Sequence, residues 1–72
     1  MSNIIETRIP NYRFAAMDEE QEQQLKDISK RFAKDMRYDF NFEYYSIYWT
    51  EENYLLAKLA MPELESIVTK VP

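Results

Sequence analysis

The chain contains no cysteine, no histidine and no glycine, and each absence removes a class of function. Without cysteine there is no disulfide framework and no thiol nucleophile. Without histidine there is no imidazole base, and the usual zinc ligands are gone as well. Average glycine usage is about 7%. Its absence excludes phosphate-cradling loops, nucleophile elbows, the EF-hand calcium loop and left-handed glycine helix caps, so turns must use Asn, Asp or Pro. Long apolar runs are missing too. The longest, Tyr54 to Met61, is interrupted by Lys58 and is too short to span a bilayer. The opening residues Met1-Ser2-Asn3-Ile4-Ile5-Glu6 lack the basic leader and apolar core of a signal peptide. These absences predict a cytoplasmic domain (host cytoplasm if the chain is viral), not attached to a membrane. They also predict no catalytic residues, no metal and no cofactor.

What is present is bulk. Of 72 residues, 46% are hydrophobic and 15% aromatic, which opposes disorder. The length allows one hydrophobic core and therefore a single domain over residues 1–72. A domain this small buries only roughly 60 to 65% of its unfolded surface. With no disulfide or metal to staple it, stability must come from core quality or self-association, and a homodimer is one expectation. Net charge is −4, and it is unevenly spread. Residues 25 to 37 hold Lys26, Lys30, Arg31, Lys34 and Arg37 against Asp27 and Asp35. Residues 38 to 65 set Asp39, Glu43, Glu51, Glu52, Glu63 and Glu65 against Lys58 alone. An acidic C-terminal half disfavours generic nucleic-acid binding, which needs a basic footprint.

Patterning predicts an α+β fold: about three antiparallel strands packed with two helices, in the order β-α-β-α-β. Ile4 to Ala16 reads as extended, with Ile5, Thr7 and Ile9 alternating with Glu6 and Arg8, and Tyr12 and Phe14 continuing past Pro10. Pro10 removes a ladder donor, which predicts two short strands or a bulged edge strand. A helix is predicted over Glu19 to Arg37. Asp18 is its N-cap with Gln21 three residues on, and Leu25, Ile28, Phe32 and Met36 form its apolar stripe. Tyr38 to Trp49 is aromatic and β-branched and reads as one strand. It places Tyr38, Phe40, Phe42 and Tyr44 on one face, and Phe40 and Phe42 are expected to meet the helix stripe as core. Past Tyr45 the pattern changes phase, so that Ile47 and Trp49 lie on the formerly polar face; a bulge at Tyr44-Tyr45 is one explanation. Thr50-Glu51-Glu52 starts a second helix whose stripe is Leu55 and Leu59. Pro62 ends it, and Leu64 to Val71 is a final strand. The alternative, β-α-β-β-α, makes Thr50 to Asn53 a turn, Tyr54 to Met61 a strand and Pro62 the start of a closing helix.

Two surfaces carry functional expectations. If helices cover one face of the sheet, the other is open, and Tyr45, Ile47, Tyr48 and Trp49 form an aromatic patch there, of the composition that dominates binding hot spots. With Glu43, Glu51 and Glu52 beside it, this patch is the predicted contact with another protein, and the spaced acids Asp39, Glu43, Glu51, Glu52, Glu63 and Glu65 are the candidates for acidic mimicry of a phosphate backbone. The second surface is a basic stripe of Lys26, Lys30, Lys34 and Arg37 along one edge of the first helix. It gives the alternative, a nucleic-acid-binding accessory protein. The leading reading is a non-catalytic, protein-binding inhibitor or regulator. A tiny acidic domain without catalytic residues resembles in type the host-directed inhibitors and anti-defence proteins of bacteriophages.

Overall fold

The computed structural model describes residues 3–72, and its α+β architecture follows the order β1 (Ile4–Pro10), α1 (Asn11–Ala15), α2 (Glu19–Phe32), β2 (Asp35–Asp39), β3 (Tyr44–Thr50), α3 (Glu51–Ala60), α4 (Leu64–Ile67) and β4 (Thr69–Lys70). The strands form one antiparallel sheet in the spatial order β2-β3-β1-β4. Two split β-α-β units therefore interlock, the connectivity called ferredoxin-like. Pro10 closes β1 and caps α1, and β1 is a central strand flanked by β3 and β4. The expected edge strand is therefore a central one. The residues after Pro10 turn helical, a conformation for which the fixed proline φ prepares the chain.

Both long helices start where their caps demand. Asp18 accepts from the Gln21 N–H at 2.7 Å, and Thr50 accepts from the Asn53 N–H at 3.2 Å. The first helix ends five residues before its predicted limit, at Phe32, because Met36 is drawn into β2 opposite Ile47. Its end is tied down by Asn53, whose side-chain amide donates to the Phe32 carbonyl at 3.2 Å. Leu25 and Ile28 are buried as expected, Phe32 is half-buried, and Met36 is exposed on β2.

The largest correction concerns residues 38 to 49. They are not one strand but a hairpin, in which Phe40 to Glu43 turn and Tyr38 pairs with Tyr45. A four-residue turn makes even positions of β2 face odd positions of β3, and this produces the phase change without a bulge. Phe40 and Phe42 sit on the turn and leave the core, while Ile47 and Trp49 join it.

On the second long helix the expected stripe also rotates. Tyr54 and Ala57 point inward, continued by Met61 and Leu64, and Leu55 and Leu59 face solvent. Two apolar stripes compete on α3, and the one led by Tyr54 wins because its ring packs on Trp49, centroids 5.9 Å apart. The expected last strand is divided. Residues 64 to 67 are helical, and the Thr69–Lys70 pair adds to β1. The core is thus one layer of helices over the sheet face that carries Thr7, Ile9, Ile47 and Trp49.

Candidate functional site

Strand alternation decides which aromatic residues can meet a partner. Tyr45, Ile47 and Trp49 point under the helices. Ile47 and Trp49 are buried outright and Tyr45 is half-buried. The patch predicted from them therefore belongs to the core of the monomer, and only Tyr48 of that group stands on the open face of the sheet. The acids expected beside the patch are separated as well. Glu43 lies just before β3 and Glu51 and Glu52 just past its end, roughly 25 Å apart along the strand.

The open face carries Glu6 and Arg8 from β1, Tyr44, Ser46 and Tyr48 from β3, and Asp35, Arg37 and Asp39 from β2. Four of its five charges are paired with one another. Glu6 accepts from Arg8 at 2.9 Å and from the Ser46 hydroxyl at 3.2 Å. Arg37 donates to Asp35 at 2.9 Å. The Asp35 carboxyl is held below its usual range, first by that bond and then by the Met36 N–H. Arg8 and Arg37 lie over the rings of Tyr44 and Tyr48. A face already paired this way offers little net field to a polyanion.

The basic stripe is broken by the early end of α2. Lys26 and Lys30 remain one turn apart on the helix, Lys34 lies in the following loop, and Arg37 is carried by β2 to the open face of the sheet. The row of four cations along one helix edge does not form.

What the fold does assemble is an aromatic hairpin tip. The Asp39 carboxylate accepts from the N–H groups of Asn41 and Phe42 at 2.9 and 3.0 Å, and the Glu43 N–H returns to the Asp39 carbonyl at 2.8 Å. Asx bonding of this kind builds a turn without glycine. Glu43 takes φ 55°, the left-handed region. Its carbonyl receives the Asn11 N–H at 2.8 Å, which ties the tip to the start of α1. On this frame Phe40 is 85% exposed and Phe42 77%. Both rings have aromatic neighbours: Phe40 meets Tyr38 edge-on at 4.9 Å, and Phe42 stacks on Tyr44 at 6.3 Å. Behind them Tyr38, Tyr45 and Phe14 continue the cluster into the molecule. Partial burial, then the charges of Glu43 and Asp39, push the Tyr38 phenol above its ordinary value. Tyr12, also exposed, follows Asn11 and so belongs to the same end.

Comparison of the chain with protein-family models, with curated protein sequences and with solved structures gives no match. The site is therefore read from its own chemistry. No helix among the described residues is long and apolar enough to cross a membrane. The signal that marks the tip in the sequence is the segment Asp39-Phe40-Asn41-Phe42. Asp39, whose side chain bonds the backbone ahead of it, and Asn41, a turn-favouring type, alternate there with two residues that repay burial, and a long aromatic strand was the competing reading.

Proposed function

We propose that the chain is a non-catalytic protein-binding module, an inhibitor or regulator of another protein, that engages its target through the β2-β3 hairpin tip. The observation that carries this reading is the exposure of Phe40 and Phe42 on a turn fixed by hydrogen bonds. Exposed phenylalanine costs solubility and adds little here to folding. A rigid presentation reduces the ordering cost of binding. Burying both rings contributes roughly 3 to 6 kcal/mol. That only matches the lower range of association costs, about 4 to 15 kcal/mol. The phenylalanines therefore act as anchors, and their neighbours Tyr12, Asn41 and Glu43 supply the rim.

The test compares affinity capture by the intact chain with capture by a Phe40→Ser, Phe42→Ser variant of unchanged thermal stability. The reading expects at least one protein retained by the intact chain and lost by the variant. Identical retained sets would overturn it.

A further inference from the structure

A groove runs between α2 and the edge strand β2. Its inner part, about 210 Å³, reaches the sheet between Ile9, Phe14, Leu25, Tyr45 and Ile47. Its outer part, about 300 Å³, is lined by Ser29, Lys30, Ala33 and Asp35, and Lys26 and Met36 border both. An engineered cavity of ~150 Å³ accepts benzene, so the inner part has room for one large apolar side chain.

Three further features mark the groove as a binding site. The Ser29 hydroxyl, in a residue only 5% exposed, has no hydrogen-bond partner among the described residues. Buried polar groups are normally satisfied, and an orphan on the wall of a groove is one that a ligand would complete. Next, among the described residues β2 pairs only with β3, so its other edge carries no strand; the Met36 N–H is held there by the Asp35 carboxylate at 2.9 Å, a local bond that an added strand replaces. Finally, the helix side of the groove carries two cations. Lys26 is held at 3.3 Å by Glu22, and Lys30 has no ion-pair partner among the described residues. Among the described residues the one acid lining the groove, Asp35, is itself bonded to Arg37.

We infer that this groove binds an extended acidic peptide segment of another protein, added as a fifth strand along β2. Backbone hydrogen bonds to the free edge supply affinity, and side chains alternating toward the groove supply selection. One apolar side chain enters the inner cavity. A neighbouring Asp or Glu meets Lys26 and Lys30, and the Ser29 hydroxyl donates to an oxygen of the peptide. A second copy of the chain is a poor occupant of this edge. Two-fold antiparallel pairing of β2 centred on Arg37 places Arg37 opposite Arg37 and Asp35 opposite Asp39, like charges at every position on that face. The inference rests on residues other than Phe40 and Phe42 and stands independently of the hairpin-tip reading.

The experiment selects random linear peptides on the intact chain and measures the affinity of the enriched ones. Enriched peptides should combine one large apolar residue with Asp or Glu within two positions. Ser29→Ala should leave thermal stability unchanged and weaken binding about tenfold, as expected for loss of a hydrogen bond to a charged or peptide group. Lys26→Glu with Lys30→Glu should weaken it further. The Phe40→Ser, Phe42→Ser variant should bind as the intact chain does. The inference is overturned if no peptides are enriched, if the enriched ones are basic, or if binding follows the hairpin-tip variant and ignores Ser29 and the lysines. It is also overturned if the chain dimerises through β2 or if an oligonucleotide competes for the groove.

Discussion

The indole N–H of Trp49 donates to the hydroxyl of Thr7 at 2.9 Å, between two residues with no exposed surface. Thr7 donates in turn to the Ile47 carbonyl at 3.2 Å. The bond joins β1 to β3 inside the core and gives the only tryptophan its one required partner. It explains how so polar a residue as threonine occupies a fully buried position.

Thr7→Val preserves shape and removes the acceptor, which leaves the indole N–H unpaired. The expected loss is about 1 to 3 kcal/mol of folding stability. Thr7→Ser, which keeps the hydroxyl, should lose less. Urea unfolding of the two variants checks this, and a negligible loss for Thr7→Val beside a larger one for Thr7→Ser would show that methyl packing matters and the bond does not.

Trp49 and Phe42 should separate stability from binding. Trp49→Ala opens the core and is expected to cost about 3 to 5 kcal/mol, close to the whole stability of so small a domain. Phe42→Ala removes a ring that is mostly exposed and should stay within about 0.5 kcal/mol of the intact chain. Thermal unfolding of both variants distinguishes them: an unfolded Phe42→Ala would mean that the tip is structural.

How much of this was legible in the sequence depends on where local chemistry settled the structure. The caps at Asp18 and Thr50 were readable because a single side chain decides each, and the bonds to Gln21 and Asn53 are in place. The α+β class was readable from the change of period along the chain. The hairpin was not, because Asp39 and Asn41 interrupt an aromatic run without proline or glycine, and only pairing in space separates a turn from a polar strand face. The functional patch failed for the same reason. Once Phe40 to Glu43 turn, the parity of every residue from Tyr44 to Trp49 reverses, and Trp49 moves from the predicted surface to the core. The end of α2 was equally invisible: Lys34 to Arg37 suit a helix, and β3 instead pairs Asp35 to Arg37 as part of β2.

Glu43 holds a left-handed conformation that costs a non-glycine residue about 1 to 2 kcal/mol. Glu43→Gly should therefore raise stability by several tenths of a kcal/mol, the relief being partly offset by a freer unfolded chain. Calorimetric melting checks the direction. A lower midpoint would indicate that the Glu43 side chain contributes more to the tip than its backbone costs.

Tyr54 gives the fold an alkaline limit. Burial, and then the nearby Glu65 carboxylate, push its phenol above the ordinary value, while Lys58 opposes them. A phenol raised in the folded state contributes stability that is intact below its unfolded value of about 10. That contribution is lost as pH rises through the folded value. Stability measured from pH 8 upward should fall more steeply for the intact chain than for Tyr54→Phe. Parallel curves would contradict this.

The hairpin tip as the surface that meets a protein target is tested most directly by site-specific photo-crosslinking in cells that produce the chain. A benzophenone side chain is placed at Phe42, on the tip, or at Tyr48, on the open sheet face. The account predicts a discrete covalent adduct with one partner from position 42 and little or none from position 48. Equal adducts from both positions, or an adduct from position 48 alone, would contradict it.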